Sequence, residues 1–379
     1  VNRLPPLSRR QWLAGMLVVA PCARARAAVD ATLADISRYV FVPSAAAPDV
    51  TVIDIDNERI AGTLPIGIVA RQAAVSRQAA TLVATDASGA GSLVDVFTGA
   101  VRSFRLPTPA DRLILGAGGR VAAAVNQAGG SITLIGIDTG RADIVISGLP
   151  PLRDVMFGNQ DSEIYLASAG IAGIGVVDVA NGRLVRQIPP SRVARDGMVA
   201  LARTPNGRQV LAQPKGGGPI GIFDPEQGEA VGEIAAGPGA AGLFPSGTGA
   251  YLLIPDTTEA TLTAYRFEHP EKPVVFRCAA DADGVYTAWL DSVAFVACPA
   301  SRRLLVYDLD TQRRAREIPL AGAPIRGVVT ADSRTLYLPI LDPPRIVAVD
   351  GSTRCIAATI DLPGAPLSAL AAGGWGICH

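Results

Sequence analysis

Short runs of alternating apolar and polar residues, most of them stopping at Asp, Asn or Gly, recur along almost the whole chain. A period of two is that of a half-buried strand, and a polar stop followed by a second apolar run signals a hairpin. Eight such runs stand out: Val50–Asn57, Ser92–Gly99, Ile132–Gly140, Ile174–Gly182, Ile220–Gly228, Leu262–Pro270, Leu304–Gln312 and Ile346–Gly351. They repeat at about forty-two residues.

Each run has partners. A strand precedes it, as in Arg38–Pro43, Glu163–Ala167, Ala250–Pro255 and Thr335–Pro339. Another follows, as in Ile60–Pro65, Leu184–Pro189 and Ile356–Pro363. A fourth segment is short and rich in small residues: Ala73–Ser76, Val155–Phe157, Met198–Leu201, Gly327–Thr330, Leu367–Leu370. Four strands per unit, repeated radially, predict an all-β protein, a β-propeller of four-stranded antiparallel blades, with the small-residue strand at the crowded axis. The chain enters at a second strand and ends on an inner strand near Leu367–Ala371, so its tail would complete the first blade and remove the open sheet edges. That count gives eight blades over a single domain, residues 35–379. Seven is the alternative, because the sixth unit is irregular at Arg266–Pro273.

These residues resemble the YVTN-type propeller repeat. Tyr39-Val40, Val52-Ile53-Asp54, Gly62-Thr63-Leu64-Pro65-Ile66-Gly67 and Ala73-Ala74-Val75-Ser76 follow that unit, and Ala358-Thr359-Ile360 matches it again near the end. Phe41-Val42 stands where T-N is expected. The likeness covers about residues 35–372. It extends to the WD40-like set that contains the propeller subunits of quinoprotein amine dehydrogenases and, more distantly, to haem d1 propellers. What the resemblance implies is a fold and a scaffold: the amine dehydrogenase propeller leaves its quinone on another chain. Haem d1 propellers hold iron through histidine, and this chain has only His269 and His379.

The first residues read differently from the rest. Ser8-Arg9-Arg10-Gln11-Trp12-Leu13, an apolar run to Ala20, and Ala25-Arg26-Ala27 have the layout of an export signal. The paired arginines resemble the twin-arginine pattern, with Trp12 for Phe and Ala14 for Lys. The apolar run falls short of the ~20 residues a bilayer span needs. Residues 1–27 are therefore expected to be a cleaved signal, which places the mature chain in the periplasm with no membrane span. The whole chain balances 34 basic against 34 acidic residues. Cleavage would remove five arginines, leaving a mildly acidic protein. With no basic surplus, a nucleic-acid partner is not expected.

Candidate chemistry is sparse. Arg71, Arg112, Arg153, Arg195 and Arg326 each fall just before an inner strand. Equivalent positions of a propeller converge on one channel mouth, where guanidinium groups would fork onto carboxylate or phosphate. Asp111, Asp154 and Asp196 sit beside three of them, and the plainer account is that such arginines bond neighbouring blades. Cys278, Cys298, Cys355 and Cys378 would pair 278 with 298 and 355 with 378 in an oxidising compartment, or remain buried thiols. Cys378-His379 offers too few donors for a metal site. Asp281-Ala-Asp283-Gly284 lacks the later calcium ligands, and Lys215-Gly216-Gly217-Gly218 lacks the order of a phosphate loop. No G-x-S-x-G or H-E-x-x-H occurs. The expected role is a non-catalytic binding or scaffold propeller for a periplasmic redox protein or a small anionic ligand. An amine-dehydrogenase-like subunit and a metal-dependent propeller hydrolase are the alternatives. No cofactor is specified.

Overall fold

Alternating strands closed by Asp-capped turns build the ring, seen here in a computed structural model that describes residues 35–158, 160–190, 197–204 and 207–373. The expected signal, Arg195, Asp196, Cys378 and His379 lie outside these. Among the described residues, thirty-two strands form eight four-stranded blades: six are separate sheets, and blades 1 and 2 are joined through the last strand into one eight-stranded sheet. In blades 2 to 8 the strands follow one another from the axis outward. Blade 2, for example, runs Gln72–Ser76, Thr81–Thr85, Ala90–Asp95, Val101–Arg105.

The local cause is a hairpin used over and over. In six of the eight blades the third strand ends at an Asp whose carboxylate accepts amide N–H groups just beyond it, blade 3 having Gly136 there and blade 6 Arg266. Asp95 takes Phe97 and Thr98 at 3.0 and 2.7 Å, and Asp224 takes Glu226 and Gln227 at 2.9 and 3.0 Å. Such Asx turns reverse the chain at low cost. Four residues after the Asp the backbone turns left-handed, at Gly99, Gly182 and Gly228 but also at Glu58, Gln312 and Arg354. In six blades the outer strand then carries a bulge, which increases its twist.

Packing closes the circle. The second and third strands are buried almost throughout, whereas outer strands alternate, as in Arg183–Ile188. Eight apolar clusters lie one between each pair of adjacent blades, the eighth joining Val40, Val42 and Ile53 of blade 1 to Val328, Tyr337 and Ile346 of blade 8. Each fully buried Val, Leu or Ile contributes about 1.5–3 kcal/mol, so the blade interfaces hold the ring.

The tail completes blade 1, as its pattern predicts. The expected inner strand near Leu367–Ala371 lies slightly later, at Leu370–Gly373. Leu367 is used earlier, donating its N–H to Pro43 O at 2.8 Å and so bridging to the second strand's end. The final strand pairs antiparallel with Tyr39–Pro43 and parallel with the inner strand of blade 2, through Ala372 beside Val75 and Gly373 beside Ser76. The irregular sixth unit is a full blade. Its third strand, Thr261–Arg266, meets a nine-residue outer strand, His269–Arg277, without an Asp cap, and its inner strand shrinks to Phe244–Pro245.

Candidate functional site

The inner strands all start at one mouth of the channel, which brings the recurrent arginines to equivalent places. Arg71 precedes Gln72–Ser76, Arg112 opens Arg112–Leu115, Arg153 is second in Leu152–Phe157, and Arg326 precedes Val328–Val329. Two of the four are tied to an acid of the following blade. Arg71 Nη2 lies 3.5 Å from Asp111 Oδ1, and the Arg112 guanidinium is bonded to Asp154 Oδ1. Asp154 is buried and does more than balance charge: its Oδ2 accepts Leu201 N–H from blade 5 at 2.7 Å and its Oδ1 accepts Val155 N–H at 2.8 Å. One carboxylate thus joins the inner strands of blades 3, 4 and 5. For Arg71 and Arg112 the plainer, blade-bonding account holds in part.

Arg153 and Arg326 differ. Arg153 is exposed, and among the described residues no acid pairs with its guanidinium. Arg326 also has no acidic partner there. Its side chain is exposed at the channel mouth. Desolvation first, then repulsion from the Arg112 guanidinium, lowers its pKa. Blades 3 and 8 therefore place two like charges within reach of each other.

Sequence reasoning missed Tyr286, on the inner strand Gly284–Ala288 of blade 7. Its hydroxyl accepts Gly327 N–H at 2.9 Å, next to Arg326, and burial pushes its pKa up. It stays protonated, and its own proton remains to be donated. The hint in the sequence is a phenol on an inner strand, where the other described inner strands carry no tyrosine.

The remaining candidates fall elsewhere. Cys278 and Cys298 share the apolar cluster between blades 6 and 7, both as free thiols, and burial raises Cys298 to about 12. Cys355 opens the outer strand of blade 8, also as a free thiol. Asp281 accepts Ser301 N–H at 2.7 Å, which is a turn contact. His269 is exposed on the outermost strand of blade 6, away from the channel. A haem iron held through histidine has no ligand here among the described residues. Nor do those residues contain a group of three or more His, Cys, Asp or Glu able to hold a metal. No helix among them is long and apolar enough to cross a bilayer.

No family model matches the chain, and no curated protein matches it. Solved structures do share its shape. The dihydro-heme d1 dehydrogenase NirN in complex with DHE is 15% identical, with a TM-score of 0.72 over 89% of this chain and 76% of that one. Apo AztD from Citrobacter koseri is 14% identical, with a TM-score of 0.66 over 89% of this chain and 99% of that one. Hydrazine synthase from Kuenenia stuttgartiensis is 14% identical, with a TM-score of 0.56 over 74% and 95%. At such identities the likeness establishes the fold alone: the chain is a β-propeller.

Proposed function

We propose that this chain is an exported, periplasmic binding propeller, without catalytic chemistry of its own, that holds a small carboxylate- or phosphate-bearing anion at the arginine mouth of its channel. The observation that supports this reading is Arg326. Its guanidinium is exposed, lies close enough to Arg112 to be repelled by it, and has no acid beside it among the described residues, so it can take an anion from solvent. Its neighbours Arg71 and Arg112 are met by an acid of the next blade, while blade 1 offers Arg326 only Ser368 and Ala369 at that place. An anion forked by Arg326 and accepting a hydrogen bond from the Tyr286 hydroxyl would supply the missing partner. Perturbed charges in clefts mark sites of this kind. The layout of residues 1–27 supports export by the twin-arginine route.

Calorimetric titration of the purified chain with inorganic phosphate and with succinate at low ionic strength tests the reading. Charge-assisted hydrogen bonds contribute about 1.5–3 kcal/mol, so Arg326→Ala is expected to weaken binding roughly 10- to 100-fold. Arg59→Ala, on an outer strand, should leave it unchanged. Absence of binding to either anion, or equal affinity in Arg326→Ala, would overturn the proposal.

A further inference from the structure

A different surface, at the opposite mouth, carries an interaction of another kind. At one end of blade 7, Ala288, Val293, Asp308 and Arg313 stand in register from the inner strand to the outer. Three strand spacings, about 14 Å, separate the first from the last. Just past Ala288 comes the turn Trp289-Leu290-Asp291, with φ of 53°, 52° and 64°. Three successive non-glycine residues in the left-handed region are rare, because Cβ crowds the following carbonyl. The turn is gripped from both sides. Trp289 N–H donates to the Ser333 carbonyl and Leu290 N–H to Ser333 Oγ at 3.3 Å, both in blade 8. The buried Asp291 carboxylate accepts Thr248 N–H at 3.1 Å and the Thr248 hydroxyl in blade 6. What this clamp presents is apolar: Trp289 is 45% exposed and Leu290 76%.

On the outer side of the same end lies a cleft of about 340 Å³ lined by Asp308, Thr311, Arg313, Arg314, Ala315 and Arg354. Arg354 reaches across from blade 8 to Asp308 at 2.6 Å, and Arg314 is bonded to Glu317. Arg313 has no acidic partner among the described residues. Outer strands elsewhere expose β-branched side chains, such as Val101, Val185 and Val275. The outer strand of blade 7, Arg313–Pro319, exposes Arg313, Arg314 and Arg316 instead.

We propose that this end of blade 7 is a docking epitope for a protein partner whose surface offers an apolar pocket flanked by carboxylates. Trp289 and Leu290 form the anchor, held in place before binding so that little ordering cost remains. The arginines of the cleft meet the carboxylates. Tryptophan and arginine are the residues that most often carry interface affinity. A protein is favoured over a lipid surface for two reasons. Only two apolar side chains stand proud, and Asp308 and Glu317 orient the arginines as directional donors within a face of mixed charge.

The test uses the full chain and a fluorescent peptide in which adjacent Leu and Phe are bracketed by glutamates, with a glutamine version as control. Fluorescence anisotropy should show binding that weakens at least roughly tenfold in Trp289→Ala and in Arg313→Glu/Arg314→Glu, and as much for the glutamine peptide. Leu290→Gly, which the backbone accommodates, should weaken binding with the melting temperature undiminished, separating docking from folding. Val185→Ala with Arg183→Glu, on the rim of blade 4, should change nothing. Absence of binding, equal binding of the glutamine peptide, or indifference to the blade 7 substitutions would overturn the proposal. So would tight association with vesicles of equimolar phosphatidylglycerol and phosphatidylcholine that Trp289→Ala abolishes, since the anchor would then be a lipid one.

Discussion

Replacing Asp154 with alanine should cost more than its visible ion pair suggests. The substitution strips an acceptor from two amides, Leu201 N–H at 2.7 Å and Val155 N–H at 2.8 Å, and removes the counter-ion of Arg112. A buried amide left without a partner costs about 1–3 kcal/mol. The Arg112 side chain is 41% exposed, so solvent screens the ionic part to about 0–1 kcal/mol. Leu201 is only half-buried, and water will recover some of the loss at its amide. The sum is about 3 kcal/mol. With an unfolding entropy of about 2.1 cal/mol/K per residue over some 340 residues, the melting temperature should fall by about 4 °C. Asp154→Asn keeps one acceptor oxygen and should lose about half as much. Urea denaturation and calorimetry of both variants, with an Arg112→Ala cycle, give the comparison. A loss below about 1 kcal/mol in Asp154→Ala would refute the reasoning. So would an Arg112–Asp154 coupling above about 2 kcal/mol, because the ion pair would then outweigh the amides.

Other consequences follow from the same geometry. Asp54 is held at about 2, first by the Arg38 guanidinium bonded to it, with Asn57 and the Asp56 amide adding to this against the opposing effect of burial. The folded chain thus binds this proton more weakly than the unfolded one. Its contribution is complete above the ordinary carboxylate range and disappears as pH falls through about 2. Arg38 is 41% exposed, so the contribution is on the order of 1–2 kcal/mol, and Asp54→Asn should flatten the acid limb of urea midpoints by that amount. Truncation after Pro366 removes the final strand and uncovers the edges of blades 1 and 2. Light scattering after gel filtration should then show aggregates, and a monomer that melts like the full chain would contradict closure by the tail. Leu290→Gly should raise stability by about 0.5–1 kcal/mol in thermal melts, relief of the left-handed backbone exceeding the extra freedom of the unfolded chain. A decrease would show that the turn is not strained.

The ring was legible because its signals are local and repeat. A period of two and an Asp at the stop are set within eight residues, so even the sixth unit, which lost its Asp cap, kept enough alternation to be counted. The last strand lies about three residues beyond its expected place because Leu367 continues the apolar pattern while its N–H is spent on Pro43. Pattern reports side-chain burial, and the ladder depends on where backbone donors go. The arginine positions could be read for the same reason as the blades: they recur. Tyr286 could not, since its partner Gly327 is supplied by the next blade and leaves no trace at short range.

Departure from the repeat is therefore the stronger guide to function in this fold. Where Arg and Asp recur on successive blades, as in Arg71 with Asp111 and Arg112 with Asp154, each pair stabilises the ring, and recurrence itself accounts for them. Arg326 keeps the arginine while the next blade drops the acid, and on that departure the proposed anion site rests. The turn at Trp289 departs in the opposite sense. Asp161 and Ser333 occupy left-handed positions in other blades singly, but blade 7 strings three together and exposes the two apolar ones. The Asp-capped outer hairpins fill their single left-handed position with glycine in three blades and with the polar Glu58, Gln312 and Arg354 in three others, never with a large apolar side chain. Three such residues in a row, two of them large and exposed, cost backbone strain that the docking surface proposed for blade 7 would offset.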